Sequence, residues 1–189
     1  MLNWRFPAKA MLLSIKEMEV RKLPFAETWQ PGEIDFGDPA ISQTGPLKTS
    51  GVAELLPHTG GEVRIKGKVT VDLQVVCDRC LGPARLSVDA PFDLFYKPAA
   101  DAPSGEEEVA IDEGEAEMGF YELPGLVLED ILREQVLLQI PMQVVCSESC
   151  KGICPVCGAN RNETDCRCEV HPADDRWNAL KNIHIEQDR

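Results

Sequence analysis

Hydrophobic and polar side chains alternate most regularly between residues 62 and 76. Val63, Ile65, Val69, Val71, Leu73 and Val75 share one parity, while Glu62, Arg64, Lys66, Lys68, Thr70, Asp72 and Gln74 share the other. A period of two puts the first set on a core face and the second in water, which predicts a long strand. Leu86, Val88, Phe92, Leu94 and Tyr96 repeat the pattern and predict another strand over 84–96. Cys77-Asp78-Arg79-Cys80, followed by Leu81-Gly82-Pro83, is then the connection between two antiparallel strands. Upstream, residues 47–56 lead into the turn-forming cluster Pro57-His58-Thr59-Gly60-Gly61 and predict the partner strand of a hairpin. Residues 11–25 suggest one or two strands interrupted at Pro24. The Pro- and Gly-rich stretch 29–47 reads mostly as loop.

The period changes beyond residue 125. Leu128, Ile131, Leu132 and Val136 recur at helical spacing, so a helix is predicted over 126–140, stopped by Pro141. Glu129, Asp130 and Glu134 are expected to face out. Acids suit the first turn of a helix through its dipole, and with no nucleophile or His nearby they make no acid–base pair. A last short helix, capped by Asp174 or Asp175, is expected to carry Trp177, Leu180 and Ile183, with Trp177 packed on the knuckle or the sheet. The predicted fold class is α+β: an antiparallel β-sheet with one main helix and a cysteine-rich C-terminal zinc knuckle. The expected organisation is an N-terminal overhang over 1–10, a core over 11–145, and the knuckle region with its short helix over 146–189.

Charge sharpens one part of this picture. The 189 residues carry a formal net charge of −13, yet residues 1–97 hold as many basic as acidic side chains. Residues 98–145 hold only Arg133 against 12 acids. Within that belt, residues 98–119 are acidic and rich in small residues and are expected to form a mobile loop. The globally basic profile of many RNA-binding chains is missing. The apolar run Ala10–Ile15 is short, is followed by Lys16 and Glu17, and lacks a small-residue cleavage site. No run is long enough to span a membrane. The expectation is a cytoplasmic protein whose thiols stay reduced, with Met1 or Met11 as its start.

Eight cysteines carry the candidate chemistry, six of them between residues 146 and 168. Cys154-Pro155-Val156-Cys157-Gly158 suits a metal-binding turn: Pro presets φ, and Gly after the second sulfur can take positive φ while N–H groups point at the sulfurs. The preferred partition assigns Cys77, Cys80, Cys146 and Cys150 to one structural zinc site and Cys154, Cys157, Cys166 and Cys168 to another. The second is then closed locally. The first closes a long loop, where a metal clip constrains the unfolded chain most. A single residue between Cys166 and Cys168 is tight for two ligands on one metal, so His171 could replace one of them. Disulfides or spare buried thiols are the alternatives.

An enzyme is the minority reading. A catalytic zinc keeps an open position, a redox C-x-x-C normally opens a helix, and no Gly-rich phosphate loop or G-x-S-x-G turn is present. Binding remains. Arg64, Lys66 and Lys68 project from one strand face, with Arg79 and Arg85 near the adjoining hairpin end, and these five are the candidate RNA contacts. The competing reading is that the basic side chains simply solvate an exposed strand.

Several motifs occur together in order: Cys77-Asp78-Arg79-Cys80, the segment Leu128–Pro141, Cys146-x3-Cys150-Lys-Gly-Ile-Cys-Pro-Val-Cys-Gly158, Asn160-Arg161-Asn162, Cys166-x-Cys168, and Asp175-Arg-Trp-x-x-Leu180. This set resembles the YceD family, the large ribosomal RNA subunit accumulation proteins, from about Met11 to Ile183. The resemblance implies a non-enzymatic role in ribosome biogenesis, in accumulation or processing of large-subunit ribosomal RNA. The implied partner is that RNA or its precursor particle. The alternative is an adaptor or chaperone holding a basic ribosomal protein through the acidic belt Glu106–Glu117. Some relatives keep the first cysteine pair without the knuckle, which favours a knuckle with its own complete ligand set. The extra residues Leu2–Ala10 depart from the family pattern and carry no functional weight.

Overall fold

The computed structural model describes residues 10–102 and 118–169. The N-terminal overhang, the acidic belt Glu106–Glu117, His171 and the expected last helix with Trp177, Leu180 and Ile183 lie outside the described residues. The elements run β1 (Leu12–Ser14), α1 (Ile15–Met18), β2 (Leu23–Trp29), β3 (Ser42–Gln43), β4 (Leu47–Leu55), β5 (Val63–Val76) and β6 (Pro83–Pro98). After a 3-10 turn (Ala99–Asp101) come β7 (Met118–Tyr121), β8 (Gly125–Val127) and α2 (Leu128–Leu138). The fold is α+β, with one main helix among the described residues.

A six-stranded sheet is ordered β2-β4-β5-β6-β7, and β3 pairs with β5 beyond the end of β4. Every pairing is antiparallel except β6 with β7, which is parallel. A separate two-stranded sheet joins β1 to β8. The long central hairpin is the one its alternation predicts. Val63, Ile65, Val69, Val71, Leu73 and Val75 are all buried, and Lys66, Lys68, Asp72 and Gln74 are exposed. Leu128, Ile131, Leu132 and Val136 bury one stripe of α2 in the same core.

One cross-strand row departs from bulky packing. Phe25 in β2 pairs with Gly51 in β4, Gly51 with Gly67 in β5, and Gly67 with Phe92 in β6. The two glycines leave a trough, and the rings of Phe25 and Phe92 lie over it, both buried.

Several expectations need correction. Residues 11–25 are not one or two strands broken at Pro24: α1 separates β1 from β2, and Pro24 sits within β2 opposite Val52. β2 is an edge strand, where a sheet tolerates the missing N–H. Residues 29–47 are mostly loop, as expected, apart from Trp29, β3 and Leu47. Trp29 closes β2, and Trp29, Ile34 and Phe36 belong to the core. Of the segment 98–119, Pro98 belongs to β6, Ala99–Asp101 form the 3-10 turn and Met118 and Gly119 belong to β7, while residues 103–117 lie outside the described residues.

The helix is also shorter than 126–140, because Leu126 and Val127 pair with β1 as part of β8. Its first turn holds a further surprise. Glu129 does not face out; it is 3% exposed. Its carboxylate accepts the Met11 N–H at 2.9 and 3.1 Å and the Trp29 indole N–H at 3.3 Å. These charge-assisted bonds tie α2 to the chain before β1 and to the end of β2. Replacing Glu129 with Leu is expected to cost about 2–3 kcal/mol by stripping buried donors of their acceptor, with Glu129→Gln falling between. Urea unfolding of the two variants checks this.

Candidate metal centres

The tip of the β5–β6 hairpin is built to present two sulfurs. The Cys77 N–H donates to the Gly82 carbonyl at 2.8 Å, and the Leu81 N–H to the Cys77 carbonyl at 2.9 Å. This tight loop forces Leu81 to a φ of 60°. Residues arriving from α2 dock against the same tip. The Asp78 N–H donates to the Val144 carbonyl at 2.9 Å, and the Val144 N–H donates to the Asp78 carboxylate at 2.5 Å. This exchange brings Cys146 and Cys150 over Cys77 and Cys80.

The sulfurs of Cys77, Cys80, Cys146 and Cys150 all lie within 4.8 Å of one another. Those of Cys77 and Cys150 are 3.9 Å apart, and those of Cys80 and Cys146 are 3.7 Å apart. No disulfide joins cysteines here, since an S–S bond is about 2.05 Å long. A tetrahedron of sulfurs around zinc, with Zn–S near 2.3 Å, has edges of about 3.8 Å. The observed spacings fit that figure, so this donor set could hold a soft divalent metal.

Cys154, Cys157, Cys166 and Cys168 form a second group under the same 4.8 Å limit. Its turn matches the sequence argument. The Gly158 N–H donates to the Cys154 carbonyl at 2.8 Å, with Gly158 at a φ of 73°. The Cys154 N–H donates to the Ala159 carbonyl at 2.8 Å, and Ile153 bridges Asn160. One intervening residue proves sufficient for Cys166 and Cys168 to reach the same point. Cys154 is buried, Cys166 and Cys168 are half-buried and Cys157 is exposed.

The surroundings already favour anionic sulfur in both groups. Burial pushes the Cys77 thiol up, but N–H groups of Cys80, Cys146 and Arg79 outweigh it and bring it down to about 6. N–H groups of Cys157 and Val156 bring Cys154 down to about 6 as well. Cys150 is lowered chiefly by the Asn162 side chain and the Gly152 N–H. The neighbouring sulfurs shift the other way. Cys146 is pushed up to about 12 by Cys150 and Cys80, and Cys168 to about 12 by Cys157. Four thiolates therefore coexist only if a cation compensates them.

The basic residues fall into two sets. Arg64 forms a bidentate pair with Asp93 at 2.7 and 2.6 Å and lies 5.5 Å from the Phe95 ring centre. Arg64 in turn holds the Asp93 carboxyl below its ordinary range. Lys66 is 3.8 Å from the same Asp93, and Lys68 is 2.6 Å from Asp89. Arg79 and Arg85 are exposed at the cysteine end, and neither forms an ion pair among the described residues.

The motif Asn160-Arg161-Asn162 does not reveal what Asn162 does: its side chain donates to Cys150 Sγ at 3.3 Å. Its visible signals are that motif and its place between Cys157 and Cys166. Among the described residues, no helix is long and apolar enough to cross a membrane.

The sequence profile described as "Large ribosomal RNA subunit accumulation protein YceD" matches residues 65–184, which take in all eight cysteines. The maize chloroplastic protein named large ribosomal RNA subunit accumulation protein YCED homolog 1 is 28% identical over 131 residues, covering 58% of this chain and 45% of that one. Its Arabidopsis thaliana counterpart is 36% identical over 52 residues, covering 28% of this chain and 16% of its own. An uncharacterised protein of Mycobacterium tuberculosis is 33% identical over 101 residues, covering 51% and 44%. The chain thus spans less than half the length of these relatives. No solved structure matches it. With the profile covering well over half of its length, including both cysteine groups, the chain belongs to the YceD family of large ribosomal RNA subunit accumulation proteins.

Proposed function

We propose that this protein is a non-enzymatic ribosome-biogenesis factor that supports accumulation or processing of large-subunit ribosomal RNA, and that two structural zinc ions hold its RNA-facing end rigid. The observation that carries this reading is the family match over residues 65–184. Thiolate-only tetrahedral sets select zinc among the common divalent ions, and four protein ligands leave no open position for chemistry. Zinc bound there would lock the hairpin tip to the 146–168 segment. The partner is large-subunit RNA or its precursor particle.

Among the five basic candidates, Arg79 and Arg85 are placed to contribute most. A phosphate approaching Arg64, Lys66 or Lys68 has to displace Asp93 or Asp89, whereas Arg79 and Arg85 meet no such competitor among the described residues. Charge reversal of Arg79 and Arg85 together is expected to weaken binding to large-subunit RNA fragments roughly tenfold or more and to lower the salt slope by about 2. Reversal at Lys66 and Lys68 should do less. Equal effects of the two pairs, read from filter binding across a salt series, would reject this ranking.

The reading itself is tested by sedimenting gently lysed cells with and without RNase. Co-migration with large-subunit precursors that RNase abolishes is expected. A protein that stays at the top of the gradient yet binds a free basic protein in a salt-sensitive way would instead favour the adaptor reading. The 12 acids of residues 98–145 against one base are the observation behind that alternative.

A further inference from the structure

The geometry points to Asn162 as a positioning residue that couples the two metal sites, so that filling the second strengthens the hold of the first. This rests on the reading that both cysteine groups bind metal. Asn162 belongs to the loop between Cys157 and Cys166, ligands of the second group, yet its side chain grips the first. Its Nδ2 donates to Cys150 Sγ at 3.3 Å, and its Oδ1 accepts the Lys151 N–H at 2.8 Å. The two contacts clamp consecutive residues of the first group's last turn. They also fix the amide's orientation, since a backbone N–H needs the oxygen and an anionic sulfur needs the N–H.

What holds Asn162 in place comes almost wholly from the second group. Asn160 Oδ1 accepts both the Asn162 N–H at 3.0 Å and its Nδ2 at 2.9 Å, and Asn160 Nδ2 donates to Glu163 at 2.9 Å. The Arg161 N–H donates to the Gly152 carbonyl at 2.9 Å, and the Ile153 N–H to the Arg79 carbonyl at 2.9 Å, completing a bridge from the hairpin tip to the loop. None of residues 158–165 is buried. With none of its residues in the core, this loop is held by these hydrogen bonds and by the ring that a metal at Cys154, Cys157, Cys166 and Cys168 would close. An N–H···S bond to a metal-bound thiolate draws off negative charge and keeps the sulfur from being protonated and released. Outer contacts of this kind typically change metal affinity about 10–100-fold.

The test uses the full chain with zinc as probe, in competition with a chromophoric chelator. Two zinc equivalents are expected for the wild type. Binding of none would overturn the metal reading and the coupling with it. Given two, Cys77→Ser identifies which wild-type class belongs to the first site, and the double variant Cys157→Ser/Cys166→Ser should bind there about 10–100-fold more weakly than that class. Asn162→Leu, with the second group intact, should lower the same affinity by a similar factor. Asn162→Asp keeps the oxygen for Lys151 but cannot donate to sulfur, so it should behave like Leu; rescue by Asp would show a merely structural loop contact and overturn the proposal. Adding Asn162→Leu to the cysteine double variant should cost nothing more. Multiplying effects, or a first site indifferent to loss of the second, would also overturn it.

Discussion

Cys150→Ser is expected to release one zinc equivalent and to lower Tm on the order of 10 °C, far more than a surface cysteine would. The reason is topological. Cys77 and Cys150 are 73 residues apart, and their shared metal would close a loop containing β6, β7, β8 and α2. Removing one ligand abolishes that closure and leaves Cys77, fully buried, among sulfurs that can no longer all be anionic. The segment from Pro141 to Cys150 then loses its anchor to the hairpin tip. Calorimetry with and without a strong chelator checks this. Chelator should lower Tm of the wild type sharply and that of Cys150→Ser much less. Equal chelator sensitivity in both would show that this group does not carry the stabilising metal.

The second large effect concerns the glycine row. Gly67→Val is expected to destabilise by about 3 kcal/mol, seen as a Tm drop of about 6–12 °C. A Cβ at residue 67 would sit 2.7 Å from Phe92 Cζ and 2.8 Å from the Ser50 carbonyl oxygen. The ring can swing away; the backbone of the neighbouring strand cannot. Gly51 is equally confined, with a Cβ 2.5 Å from Phe25 Cζ and 2.7 Å from Gly67 Cα. Shrinking the ring above Gly67, by Phe92→Leu in the Gly67→Val background, should recover only the part of the loss due to Phe92. A Gly67→Val protein as stable as the wild type would show that the sheet opens here without cost.

Long-period features were legible and close contacts were not. Alternation over residues 63–76 follows directly from a sheet with one wet face, so the central hairpin could be read residue by residue. The cysteine pairs were legible for a related reason, because ligand spacing is a local property of a turn. Glu129 was misread because helical periodicity assigns faces by polarity, and nothing local announces that Met11, 118 residues away, supplies a buried donor. The short helix α1 escaped because four residues carry no period. Nothing in the sequence singled out Gly51 and Gly67; only their register puts two rings above them. Asn162 was visible only as part of Asn160-Arg161-Asn162, and its role was not: its partner sulfur belongs to a different cysteine group, which only the fold brings within reach.

The separation of the first group's two halves also sets an order of events during synthesis. Cys77 and Cys80 leave the translating ribosome 66 to 73 residues ahead of the sulfurs they face. At roughly 5–20 residues per second, that is a wait of about 3–15 s with two thiols at a hairpin tip and nothing to complete them. The knuckle, needing only residues 154–168, can close about 1–3 s after its first cysteine emerges. A nascent chain therefore carries an open, oxidisable dithiol while the next 66 to 73 residues are made. If the first group takes a metal, supply of that metal and reducing power during this interval bear on how many chains mature, alongside the stability of the finished fold.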